Sequence, residues 1–241
     1  NLKLINNYNN FVISEEFQHL VEHWHNLRSK IYRKFIYCKE YLAYEYLLFL
    51  LISKHASYLS ENIEDIYNIW HLTDEWLLYK FFYEKKKESP ELSEVAKRLI
   101  LFDLDEVYSV IRTKQFEQKE RLLDGDFQSD LLQKVVSKLK QHQRINPSKL
   151  FLHITTDDRK TERKVSIYTQ DKERNIIPYE IGQDARYVVV GILGKEELQP
   201  NTIQILTSTM IEVLDDLGFG TFEIVPLSDR GSIMTQQLSL G

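Results

Sequence analysis

LVEHWHNLRSKIYRKFIYCKEYLAYEYLL, residues 20–48, decides how the chain is read. It contains no glycine and no proline, and its apolar side chains return every three or four positions, the period of a helix with an apolar stripe. On its N-terminal side Ser14-Glu15-Glu16 reads as a helix N-cap with acids in the first turn, followed by Phe17, Leu20, Val21, Trp24 and Leu27 at helical spacing. On its C-terminal side Ile31, Phe35, Cys38, Leu42, Tyr46, Phe49 and Ile52 carry the period on and predict one long helix from Ile31 to about Tyr58. Tyr41, Leu47, Leu48, Leu50 and Leu51 widen the stripe, so this helix is expected to be buried on more than one face.

The rest of the chain is read by the same contrast. Residues 1 to about 110 hold 21 of the 29 aromatics and no glycine, which predicts further helices over 61–71, 74–87 and 90–112, the last opened by Ser89-Pro90-Glu91. Another amphipathic helix fits 128–142 through Leu131, Leu132, Val135, Val136 and Leu139. Seven of the eight glycines lie after Asp126 and four of the five prolines after Arg144, which places a boundary near 125–148. Beyond it, strands are expected at 150–155, 165–168, 187–193 and 222–225, with a helix from Ile203 to Leu217 that stops at Gly218. The expected fold is therefore mainly α: a helical domain over 1–125, then a small α+β C-terminal lobe over 126–241 with a leading helix.

Composition removes several function classes. No apolar run approaches the ~18–20 residues of a membrane span, so no membrane partner is expected. A net charge of −5 argues against a protein that coats nucleic acid. The single cysteine, Cys38, excludes an intramolecular disulfide framework and a multi-cysteine zinc site, and fits the reducing cytoplasm. The chain starts at Asn1 and not at Met, so it is expected to be a processed product or a piece of a longer protein. There is no G-x-G-x-x-G, Walker loop or G-x-S-x-G elbow.

Two constellations carry chemistry. His19-Leu-Val-Glu22-His23 matches the inverted zinc-peptidase pattern: His19 and His23 share a helical face one turn apart, and Glu22 stands beside them as a base. A solvated polar helix face explains the same residues. The second is Arg28, Lys30, Arg33, Lys34 and Lys39, five cations in twelve residues with no acid before Glu40 and with Tyr32, Tyr37 and Tyr41 interleaved. Arginine grips phosphate bidentately and rings stack on bases, so the cluster suits a nucleotide as well as a solubilising surface.

Residues 20–48 also resemble a segment of the HD-superfamily nucleotide phosphohydrolases, among them the deoxynucleoside triphosphate triphosphohydrolases. The strings IEDIYNIWHLTDEWLLYKF (63–81) and AKRLILFDLDEVYSV (96–110) resemble later helices of that family. KVSIYTQDKERNIIPYEI (164–181), with Tyr187–Leu193 and the helix ending at Leu217-Gly218, resembles its C-terminal α+β lobe. The resemblance implies the C-terminal half of such an enzyme, homo-oligomeric, inactive as an isolated piece, with the divalent metal held by an H…HD…D set upstream and no cofactor in this chain. It implies that Arg28, with Tyr32, contacts the substrate triphosphate. Lys34 and Lys39 match positions that contact dNTP or GTP phosphates at an allosteric site. The chain departs from the family at Ile36-Tyr37-Cys38, where Tyr-Gln-His is common, and at Asp105-Glu-Val-Tyr108-Ser109, where Arg-x-Leu-aromatic-Lys is expected. A different reading of the same residues is a non-catalytic helical module that docks a protein partner through its aromatic surface.

Overall fold

Two helices stand where the periodicity predicts one. The computed structural model describes residues 3–4, 11–53, 74–84, 87–139 and 145–228; the expected helix at 61–71 and the ends of those at 58 and 142 lie outside them. Helix α1 (Gln18–Ile36) stops at Tyr37, and α2 (Lys39–Ser53) begins two residues later. The break is held by a distant segment. Ser228 donates its backbone N–H to the Tyr37 carbonyl (3.1 Å) and accepts from the Lys39 N–H (3.1 Å), while its hydroxyl donates to the Lys34 carbonyl (2.9 Å). Helix termini leave such backbone groups unpaired, and here the chain near Ser228 supplies their partners.

The expected helix over 90–112 also divides. After α3 (Asp74–Tyr79) and a π-helical turn (Lys80–Glu84), α4 (Pro90–Leu101) ends at Phe102, which adopts a left-handed conformation with φ 57°. The Asp103 N–H then returns to the Arg98 carbonyl at 2.9 Å, a helix-terminating bond. The chain then enters a strand, β3 (Glu106–Thr113). Its Val107, Tyr108, Val110 and Ile111 fit helix and strand alike, because a strand buried on both faces loses the polar alternation that would identify it.

These corrections change the fold class. The chain is a mixed α/β fold, not a mainly α body with a small lobe. A four-stranded antiparallel sheet runs in the order β4 (Leu150–Asp158), β7 (Arg186–Gly194), β3, β8 (Glu223–Val225). Along β7 the side chains divide between two cores. Val188, Val190 and Ile192 pack with α6 (Gly125–Leu139) and α7 (Pro200–Asp216), whereas Tyr187, Val189 and Leu193 pack with α2 and α4. In β3 a bulge between Val107 and Ser109 shifts this alternation by one residue. β3, which precedes the composition boundary, hydrogen-bonds along β7, which lies beyond it, so the residues on either side share one sheet.

A second sheet pairs β1 (Lys3–Leu4), β2 (Phe11–Ser14), β5 (Val165–Gln170) and β6 (Ile176–Ile181) in that order, with β2 and β5 parallel. The inner face of α1 lies against the turn that joins β4 to β5 and against β6: His25 Nε2 meets the Arg163 carbonyl at 2.6 Å, and the Tyr179 hydroxyl donates to Glu22. A short helix, α5 (Lys119–Leu123), adds Leu122 to the core behind β3. No helix among the described residues is long and apolar enough to cross a membrane.

Ile192 is fully buried at the centre of this arrangement. Ile192→Ala should lower the unfolding free energy by about 2–4 kcal/mol with an unchanged urea m-value; a loss below ~1 kcal/mol would contradict a tightly packed α/β/α sandwich.

Candidate functional site

Arg112 is the one cation of β3, and its surroundings define the site. Its register partner on β8 is Glu223, so the two side chains stand on one face of the sheet edge. The guanidinium donates from Nε to Glu223, donates from Nη1 to the Tyr37 hydroxyl (3.3 Å), and stands 3.5 Å from Glu162 Oε1. Its plane lies 3.9 Å above the centre of the Tyr187 ring. With only 12% of the side chain exposed, this charge needs its two carboxylates and the ring face to offset lost hydration.

Glu162 connects Arg112 to α1. Its Oε1 accepts from Arg33 (3.1 Å) and its Oε2 from the Tyr187 hydroxyl (3.0 Å). Tyr37, at the end of α1, donates its hydroxyl to Asp157 Oδ2 at 3.1 Å. Asp157 is fully buried and also accepts the Lys160 N–H (3.0 Å), the Thr161 N–H (3.1 Å) and the Thr161 hydroxyl. The β4–β5 turn is thus folded around one carboxylate, and the turn in turn presents Glu162. Burial pushes the Tyr37 hydroxyl up to about 12, with the Asp157 charge adding to the rise and Arg112 opposing it. Burial and the bond to Glu162 push Tyr187 up to about 12 as well.

Three depressions open around this network. One of about 400 Å³ is lined by Arg33, Lys34, Tyr37, Arg112, Glu223 and the segment 224–228. A neighbour of about 530 Å³ includes His25, Asn26, Ser29, Lys30, Arg33 and Glu162, and a third of about 510 Å³ includes Arg112, Lys114 and Glu162. The first has three cations and a phenol against a single carboxylate, Glu223, which is 55% exposed, so an incoming anion can take its place beside Arg112 without leaving that charge uncompensated.

The sequence-predicted residues are distributed unevenly over this geometry. Lys34 lines the first depression. Arg28 lies a turn and a half away, where it donates to the Lys160 carbonyl (3.0 Å) and stacks over Tyr32 at 4.4 Å. Lys39 opens α2, with its backbone engaged by Ser228. The structure therefore brings Lys34 together with Arg33 and Arg112, and leaves Arg28 and Tyr32 outside that depression. Arg112 is the residue that sequence reasoning missed; a lone arginine in EVYSVIRT signals it once the segment is read as a strand. His19 and His23 are exposed on α1, and Glu22 accepts from Tyr179. No group of three or more His, Cys, Asp or Glu side chains among the described residues is placed to hold a metal ion. Cys38 is buried and donates to Glu40 at 2.9 Å, and burial pushes its thiol up, which suits a packed thiol and not a nucleophile.

A fourth depression, about 480 Å³, lies between α2, α6 and β4, with Tyr46, Phe49, Leu132 and Phe151 in its walls. His153, nearly buried, pairs there with Glu45 at 2.9 Å. No family model matches the sequence, and no curated protein matches it.

The raised tyrosines give a pH signature. Their hydroxyls hold protons more tightly in the folded chain than at the ordinary value of about 10, so their stabilisation is complete below pH ~10 and is lost as pH rises through 12. Urea midpoints should be flat from pH 8 to about 10 and fall steeply above it, and Tyr37→Phe should flatten that fall. Tyrosines that all titrate together near pH 10 by absorbance would contradict the buried network.

Proposed function

We propose that this chain is the phosphate-gripping, non-hydrolytic part of an HD-type (deoxy)nucleoside triphosphate phosphohydrolase, and that it binds a dNTP or GTP at the depression between α1, β3 and the segment 224–228. The observation that carries this reading is the convergence of Arg33, Lys34 and Arg112 with Tyr37 on one opening of nucleotide size. Arg33 and Arg112 are both fixed by Glu162, so a ligand meets guanidinium groups already held in place and orders little on binding. Lys34 and the two arginines supply charge for phosphate oxygens, and the Tyr37 side chain supplies the wall beside them. Arg28 is assigned to a neighbouring contact on the same helix. The metal-activated water of the family belongs, in this reading, to residues outside this chain. A homo-oligomer built on this surface is part of the same proposal.

Ligand that binds only the folded state raises its stability by about 2.7 kcal/mol at one hundred times Kd. For a chain of this size that is a rise in Tm of roughly 5–10 °C. We expect such a rise with dGTP or GTP, its loss in the Arg33→Ala/Lys34→Ala double variant, and no hydrolysis of dNTPs by the chain alone. An unchanged Tm across the nucleotide panel, or robust hydrolysis without added metal, would overturn the proposal.

A further inference from the structure

The outer face of α1 carries apolar side chains that nothing in the described chain covers. Phe17, Leu20, Trp24, Leu27, Ile31 and Phe35 are 38%, 53%, 55%, 47%, 45% and 55% exposed. From Phe17 to Ile31 they alternate at three and four residues, the 3.5-residue repeat of a helix that packs lengthwise against another helix. The opposite face of α1 is the one that meets the protein: His25 and Ile36 are buried, Glu22 reaches Tyr179, and Arg33 reaches Glu162. The stripe is therefore left over after the helix has docked. Scattered apolar residues on a surface are ordinary, but five along one 19-residue helix, with Phe17 just before its start, form a contiguous patch.

Its size suits a specific contact. A helix of this length is about 28 Å long. Six half-exposed large side chains present roughly 600 Å² of apolar surface, close to the ~800 Å² that each partner contributes to a standard interface. Its charge selects the occupant. Arg28 and Lys30 flank the middle of the stripe, and no acid occurs between Glu22 and Glu40. A second copy of the chain laid parallel along the stripe would set these cations against their own counterparts, which is unfavourable at the flanking positions of a helix pair.

We infer that this face docks an amphipathic helix of another protein, apolar at the same 3.5-residue repeat and acidic along both flanks. The contact buries Leu20, Trp24, Leu27 and Ile31, none of which lines the depression of the nucleotide proposal, although Lys34, one turn beyond Ile31, lies between the two.

The test uses two synthetic helices with identical Leu/Ile seams, one flanked by Glu and one by Lys, titrated against the full chain by calorimetry. The Glu-flanked helix should bind one to one, at least tenfold more tightly than the Lys-flanked one, and should weaken as salt is raised. Leu27→Asp, at a half-exposed position, should keep the native circular dichroism and lose at least tenfold in affinity. Arg28→Glu/Lys30→Glu should reverse the preference toward the Lys-flanked helix. Equal binding of the two helices, or no binding of either, would overturn the inference. So would a dimer in sedimentation velocity that Leu27→Asp dissolves, since the stripe would then be covered by a second copy.

Discussion

The buried charge of Arg112 is the constraint on which the arrangement around it depends. A guanidinium at the edge of an apolar sheet is costly unless its hydrogen bonds are met, and here they are met from three directions. Glu223 comes from the neighbouring strand, Glu162 from the β4–β5 turn and Tyr37 from the end of α1. Removing one partner from such a set typically costs about 3–5 kcal/mol because the remaining charge is left uncompensated. The same bonds fix where α1 lies, since Glu162 also holds Arg33 and the turn that carries it is wrapped around Asp157. The cationic depression is thus a consequence of the network that orients the helix.

Much of the chain's local structure was legible, and the parts that were not share a physical reason. The strand at Tyr187–Leu193, the helix that stops before Gly218 and the Pro90 helix start lie where β-branched runs, glycine and proline put them. The break at Tyr37–Cys38 left no glycine or proline, because it is made by bonds from Ser228, almost two hundred residues away. β3 was hidden differently. It is buried on both faces, and with its bulge the apolar spacing of Val107, Tyr108, Val110 and Ile111 imitates a helix. Missing that strand turned a sheet flanked by helices on both faces into an apparent helical body with a small lobe. The same omission hid Arg112, whereas Arg33 and Lys34 stood out as members of a cation run. Arg28 and Tyr32 were visible by type, but their contact with each other and with Lys160 depends on how α1 rests on the β4–β5 turn.

Helix α1 emerges as a two-sided element. Its inner face and C-terminal end supply cations to a depression bounded by the sheet, and its outer face keeps an apolar stripe between further cations. The density of basic residues between Arg28 and Lys39 serves both, which is why it reads in sequence as one cluster. The most direct measurement of the central claim is an arginine-detected NMR titration of the folded chain with dGTP, following the side-chain Nε–H signals. The account predicts saturable shifts at Arg33 and Arg112, with Arg174, on the turn between β5 and β6, unmoved. Shifts spread evenly over the surface arginines, or none at Arg33 and Arg112, would contradict it.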